Sequence, residues 1–275
     1  MSYRNKMSSS NINNSVSDEL YKNLLNSDNS VNDEDMKFLL TKLDRISFEK
    51  KLRHSIDVIV EAIELTRKGN GSNELCISFN GGKDCCVVMF LFYKIALATG
   101  FITSKGSSSN KHQFNVLIMK LNKSFKELDD FVDQIFQSYY TSRDINKILL
   151  EKPGIKLKKC LELFKEEYPN ILSVLMGTRR TDNQYVAKLN DFQETDPDWP
   201  RFIRVNPVLD WNYSEIWYFL KRFNVPYCSL YDNGYTSLGD MANTIKNESL
   251  FDKQLGIYKP AYRLDNDYKE RNSRI

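Results

Sequence analysis

The residues best suited to chemistry form one short run, Ser78-Phe79-Asn80-Gly81-Gly82-Lys83-Asp84-Cys85. Paired glycines let a backbone approach a phosphate with no Cβ in the way. A helix starting behind them offers open N–H groups and a positive dipole end, which together attract an anion. Lys83 adds a full positive charge, and Asp84 is suited to holding Mg2+ or ordering the loop. The run is not a Walker A loop: Ile77 stands where that motif needs its first glycine, and Asp84 where it needs Ser or Thr. The dinucleotide fingerprint G-x-G-x-x-G fails as well. A strand-to-helix turn with two glycines and a capping aspartate is the plain structural reading of the same run.

Further on, Gly177-Thr178-Arg179-Arg180-Thr181-Asp182 follows an apolar stretch ending at Met176. Then come Asp196-Pro197-Asp198-Trp199-Pro200-Arg201-Phe202-Ile203-Arg204 and, near the end, Glu270-Arg271-Asn272-Ser273-Arg274. These types suit a flat anionic ligand. Trp199 offers a stacking face. Arg204, Arg271 and Arg274 offer bidentate phosphate contacts. Asp182 can accept from an imide or amine, or coordinate a metal. Each has a bland counterpart: Trp199 plugging the core beside Pro200, Asp182 capping a turn, the arginines as a solvated tail. Trp211 and Trp217 are read as core, on or beside an apolar helix face.

The elements that must carry these residues alternate. A helix starts near Ser47, carries Leu52, Ile56, Ile59 and Ile63 at helical spacing, and stops at Gly69. A strand at Leu75–Phe79 leads through the glycine loop into an apolar helix, Cys85–Ala98. After a polar loop at 103–113 come a strand at Val116–Leu121 and a capping box at Ser124–Glu127, opening a helix with Leu128, Phe131, Val132, Ile135 and Phe136 on one face. A strand at Lys147–Leu150, a helix at Lys156–Tyr168 and a strand at Ile171–Met176 complete the series. This order predicts an α/β fold, a doubly wound, mostly parallel sheet. Ligands bind such sheets beyond the carboxyl ends of the strands. After residue 178 the alternation ends, although Asn212 and Glu215 could cap a helix holding Ile216, Trp217 and Leu220. The Ser-, Asn- and Asp-rich start cannot bury enough surface to offset its ordering entropy. Residues 1–46 are therefore expected to be disordered or loosely packed, with one domain over 47–275.

Composition narrows the function. Apolar residues make up 41% of the 275, and 39 Lys+Arg against 36 Asp+Glu leave a net charge of +3. That near-balance argues against nonspecific nucleic-acid binding. Five scattered cysteines read as reduced thiols, and two histidines exclude a His-rich metal site. No apolar run reaches membrane-span length and no secretory signal is visible. The expectation is a cytoplasmic monomer acting on small molecules, with a mitochondrial address less favoured.

The first loop resembles the S-G-G-x-D-S pyrophosphate loop of the adenosine nucleotide α-hydrolase superfamily. That group includes ATP pyrophosphatases, PAPS reductases and the eukaryotic type of FAD synthetase, which split ATP between its α and β phosphates. The Phe79-Asn80 variation resembles the FAD synthetase branch. The ordered series of the glycine loop, Gly-Thr-Arg-Arg-Thr-Asp, Asp-Trp-Pro-x-Phe-x-Arg, Asn-Pro-x-Leu-Asp-Trp, Tyr-Thr-Ser-Leu-Gly and Glu-Arg-x-x-Arg is similar to that family, also called FMN adenylyltransferases, from about Ser47 onward. The resemblance implies a PAPS-reductase-like domain with an irregular C-terminal flavin-binding extension. It further implies ATP and FMN as substrates, FAD as product, and Mg2+. It places Asn80 and Asp84 on the active-site loop, with Phe79, Gly81, Gly82 and Lys83 binding nucleotide and Met119 beside the adenine. Asp182 falls on the catalytic acidic position, with Gly177 before it, and Asp84 and Asp182 are the metal candidates. Asp196, Trp199 and Arg204 fall on the flavin motif, and Arg271 and Arg274 on the phosphate-contacting arginines. The stretch between Gly239 and those arginines is short, which leaves their reach to the site open. No additional hydrolase-like domain precedes the loop, so a bifunctional form is not expected. Three rival functions are weaker on these residues. A PAPS reductase needs a C-terminal redox thiol, and no cysteine follows Cys228. A tRNA-modifying pyrophosphatase would carry a more basic surface. A noncatalytic binding module shares the fold but has no need of an acidic pair suited to Mg2+.

Overall fold

The structure is a computed structural model describing residues 17–24, 33–68, 74–102, 114–140 and 145–275. The expected helix stop at Gly69 and the polar loop 103–113 lie outside the described residues. Strands β1 (Leu75–Ser78), β2 (Phe114–Lys120), β3 (Ile145–Glu151), β4 (Ser173–Leu175), β5 (Phe192–Glu194) and β6 (Ile203–Val205) form one sheet in the order β3-β2-β1-β4-β6-β5. All pairings are parallel except the edge strand β5, which runs against β6. Leu75 and Ile77 enter one core while Cys76 enters the other, so β1 is buried on both sides.

Helices α3 (Arg45–Lys68), α4 (Lys83–Ala98), α5 (Lys126–Ser138) and α7 (Tyr213–Arg222) build the larger core. Helix α6 (Leu157–Glu167) covers the other face through Cys160 and Phe164. This is the expected doubly wound arrangement. In α3 the residues Leu52, Ile56, Ile59 and Ile63 are fully buried. Trp211 and Trp217 are core, as expected. Asn212 caps α7: its side chain accepts from the Glu215 N–H at 2.8 Å, and its own N–H donates to Glu215 at 2.7 Å. The capping box expected at Ser124 does not form. Phe125 takes the cap position of α5, and the Ser124 hydroxyl reaches only the Phe125 carbonyl, at 3.4 Å. The Phe125 ring packs against Tyr235 with centroids 5.4 Å apart, and that burial sets where the helix starts.

Residues 33–46 also differ from expectation. Helix α2 (Glu34–Thr41), capped by Asp33, buries Met36 and Leu39 and packs against α7. Asp35 pairs with Arg263 at 2.5 Å, and Lys42 with Asp267 at 2.6 Å. Helix α1 (17–24) likewise buries Leu20, Tyr21 and Leu24. Averaged composition hides such short amphipathic turns, whose partners lie far along the chain.

From β1 the chain steps outward to β2 and β3, then crosses through α6 to β4 on the other side of β1. The carboxyl ends of β1 and β4 therefore flank the switch point where such sheets open a crevice.

Candidate active site

The loop after β1 is shaped by its glycines. Gly81 has φ +75°, a left-handed conformation, and a Cβ there would come 2.8 Å from both Leu128 Cδ1 and Val132 Cγ2. Gly82 caps α4. The Asn80 side-chain oxygen accepts from the Gly82 N–H at 3.0 Å and lies 3.1 Å from the Cys85 sulfur. The Lys83 N–H donates to the Tyr231 hydroxyl at 3.0 Å. Two N–H groups expected to be open at this helix start thus already have partners. Gly177, just past β4, touches the same helix end: a Cβ there would sit 2.7 Å from the Cys85 nitrogen.

Lys83 borders the second cavity described below, with its ammonium turned inward. The ammonium is buried 2.5 Å from Glu270 Oε1 and 3.0 Å from Asp84 Oδ2, beside the rings of Tyr213 and Tyr231. A lysine this deep needs carboxylate partners. Arg179, 1% exposed, is the second cation. Its Nη2 lies 2.6 and 2.7 Å from the two Glu270 oxygens and 3.2 Å from Asp182 Oδ1, and its Nε lies 2.8 Å from Asp84 Oδ1. The last contact is an ion pair without hydrogen-bond alignment, and Nη1 is buried with no hydrogen-bond partner among the described residues. The Arg179 N–H donates to Asp182 Oδ2 at 2.9 Å.

The neighbouring carboxylates diverge. Burial would raise Asp84, but Arg179 and Lys83 hold it below the usual range. Burial pushes Asp182 up and the Asp84 charge adds to this, outweighing Arg179. Burial opposes the charge on Arg179, yet Asp84, Glu270 and Asp182 raise its affinity for the proton.

The donor set tests the expected Mg2+. Among the described residues no group of three or more His, Cys, Asp or Glu side chains is arranged around a metal position. Both Asp84 oxygens face protein cations. Asp84 nonetheless borders a cavity with its side chain 20% exposed. Asp182 borders a cavity with its side chain 22% exposed. A single carboxylate suffices for an ion that keeps its waters and leans on substrate phosphates.

Two cavities meet at the loop. One of about 280 Å3 is bordered by Asn80, Gly82, Met119, Leu121, Ser124 and Gly239. Another of about 250 Å3 is bordered by Asp84, Gly177, Thr178, Asp182, Ser237 and Arg271. Both include Ser78, Asn80, Gly82 and Leu238. Phe79 borders the first, but its ring packs edge-on to Phe136 in the core. Arg271 donates to Ser237 Oγ at 3.3 Å. Arg274 donates to Thr244 Oγ1 at 3.0 Å, and its guanidinium occupies the space a Gly239 side chain would fill. Burial, with Arg271 nearby, lowers the proton affinity of Arg274. The short stretch before the arginines thus brings Arg271 to the second cavity and Arg274 behind Gly239, which borders the first.

The flavin-motif residues are not gathered there. Asp196, Trp199 and Arg204 border neither of these two cavities. Because β6 runs parallel to β4, the turn 195–202 preceding it lies toward the amino ends of the strands. Trp199 is half-buried in that turn, its backbone N–H donating to the Asp196 carbonyl at 2.9 Å. Arg204 donates to the Glu194 carbonyl at 3.2 Å.

Sequence reasoning missed Arg179, Glu270 and Tyr231 as site residues. Arg179 and Arg180 are adjacent, and spacing does not tell which turns inward. Arg180 turns out, to Asp210 at 2.6 Å and to the Ala187 and Leu189 carbonyls at 3.0 and 2.7 Å.

Known proteins match this chain in the same terms. The phosphoadenosine phosphosulfate reductase domain family matches residues 74–246. A probable FAD synthase of Schizosaccharomyces pombe is 34% identical over 223 residues, covering 81% of this chain and 80% of that protein. A probable FAD synthase of Caenorhabditis briggsae is 35% identical over 238 residues, 86% of this chain, but the chain spans only 42% of that protein's length. In fold, the crystal structure of Candida glabrata FMN adenylyltransferase in complex with FAD and inorganic pyrophosphate superposes with TM-score 0.72 over 96% of both chains, at 21% identity. The chain belongs to the phosphoadenosine phosphosulfate reductase domain family, and within it to the group that includes the FAD synthases.

Proposed function

We propose that the protein transfers the AMP part of ATP to FMN, giving FAD and pyrophosphate. The observation that carries this reading is the junction of two cavities at Asn80 and Gly82. A group transfer between two ligands needs such a junction, with the reacting atoms brought together on one loop.

In this reading the adenosine end of ATP enters the first cavity beside Met119, and its phosphates cross the loop at Asn80, Gly81 and Gly82. The FMN phosphate enters the second cavity beneath Arg271, with Arg274 adding charge from behind Gly239. It attacks the α-phosphorus in line, and the bond to the bridging oxygen breaks as pyrophosphate leaves. The FMN phosphate is already a dianion near neutral pH, its second pKa being about 6, so no general base is needed. The chain's work is positioning and charge neutralisation. Asn80 orients the loop, Asp84 anchors Arg179, and Asp182 faces the junction. Mg2+, held by Asp182 and the substrate phosphates, would supply neutralisation of the triphosphate. Asp196, Trp199 and Arg204 are assigned to the flavin end. Five unpaired cysteines fit a reducing cytoplasm, where the protein is proposed to act as a monomer. Sedimentation as a dimer, or recovery with mitochondria, would contradict that part.

Incubation with FMN, ATP and MgCl2, followed by chromatography of the flavins, tests the reaction. FAD should form with matching pyrophosphate, and should not form from riboflavin or without Mg2+. ATP consumed to AMP with no FAD would mean the acceptor is wrong.

A further inference from the structure

Residues 267–275 supply Arg271 to the second cavity. They are well fastened to the rest of the fold. Asp267 accepts from the Ser214 N–H at 2.9 Å, Thr236 Oγ1 donates to the Glu270 carbonyl at 2.6 Å, and Ser273 Oγ accepts from the Ser237 N–H at 3.0 Å. The Glu270 side chain does something different. It is 5% exposed and runs inward to Lys83 and Arg179. Lys83 directly follows Gly82 of the loop, and Arg179 also holds Asp84 and Asp182. The residue before Arg271 is thus bound to the residue after the glycines. None of the chemistry above needs an acid at this place. A buried cluster of two cations and three carboxylates is weak as a source of stability, since desolvation offsets the attraction. Its geometry is what it can supply.

We propose that Glu270 is a positioning residue of the transfer reaction. Its carboxylate, shared between Lys83 and Arg179, hangs the segment 267–275 on the nucleotide loop and so sets Arg271 over the second cavity. Arg179 is the hub that keeps Asp84, Asp182 and Glu270 in one arrangement. For its kinetic readout this inference rests on the adenylyl-transfer reading.

The test is a mutant cycle joined to hydrogen exchange. Glu270→Gln should lower kcat about 100-fold, the scale expected when a contact shifts by an ångström, and leave KM for ATP within a few-fold. In an Arg271→Ala background the same change should cost less than about 3-fold, because residues acting as a unit are not additive. Exchange at 267–275 should quicken in Glu270→Gln while exchange in β3 stays unchanged. The inference is overturned by a full Glu270→Gln loss in the Arg271→Ala background, by wild-type kcat, or by unchanged exchange at 267–275. If Glu270→Gln does not fold, Lys83→Met with Glu270→Gln keeps the cluster's net charge. That double variant, once folded, should show the same kcat loss, and wild-type kcat would overturn the claim. A wild-type protein that makes no FAD would sink the functional reading, while the exchange result would still judge the positioning claim.

Discussion

Between β1 and β3 the chain is held by backbone ladders and apolar faces, whereas from Gly177 onward it is held largely by side chains. In the first region Cys76 pairs with Asn115 and Phe114 with Ile145 in continuous parallel register. In the second, strands are three residues long or shorter, and 3-10 turns alternate with buried polar bonds such as Asn247 to Thr236 at 2.9 Å and to the Lys269 carbonyl at 2.8 Å. The first builds a platform whose loop has its shape from glycines. The second folds over it and delivers Asp182 and Arg271. Activity should therefore be most sensitive to side chains in the second region, and stability to backbone in the first.

The largest effect should come from the second region. Asp182→Ala is expected to lower turnover about 100- to 1000-fold, the cost of losing one well-placed group in such sites, with an unchanged circular dichroism spectrum. Full turnover in that variant would break the comparison.

The two regions also differ in how far they are legible in the sequence. Periods of two and 3.6 give β1, β2, α3 and α4 with starts within two residues of those observed, because each depends on its own apolar pattern. The glycine loop is equally legible, since Gly81 and Gly82 state a backbone need. The inward turn of Arg179 is not, because it depends on Glu270, which lies far away along the chain. Lys83 is half legible for the same reason: its charge is visible in the sequence, its carboxylate partners are not. Helix α2 escapes a local reading because its cover is α7, a late element.

Backbone contacts of the first region should show next. Gly81→Ala adds left-handed strain and a clash with Leu128 and Val132, and should cost about 1–3 kcal/mol in unfolding experiments. Gly154 also has positive φ, +82°, but faces open space. Gly154→Ala should therefore cost less, and equal losses at both positions would show that packing against α5 contributes nothing.

Trp199→Ala separates the flavin turn from the junction. It should raise KM for FMN about 10-fold, the worth of one aromatic contact, without changing KM for ATP. No change in either would place the flavin ring elsewhere.

The smallest effect is electrostatic. His54 lies 3.0 Å from Asp191, and that hydrogen bond raises its pKa from 6.5 despite partial burial. A raised histidine contributes stability that is fully present below its unfolded value and is lost as pH rises through the folded one. Half-exposed, the pair should contribute less than about 1 kcal/mol. Urea unfolding across that window should show the decline, and His54→Asn should abolish it.

The central claim is that one loop joins the α-phosphate of ATP to the phosphate of FMN. ATP labelled at the α-phosphorus tests it most directly. The account predicts that each FAD formed carries the label while a γ-label appears in pyrophosphate. Label recovered in AMP or orthophosphate, with unlabelled flavin, would contradict it.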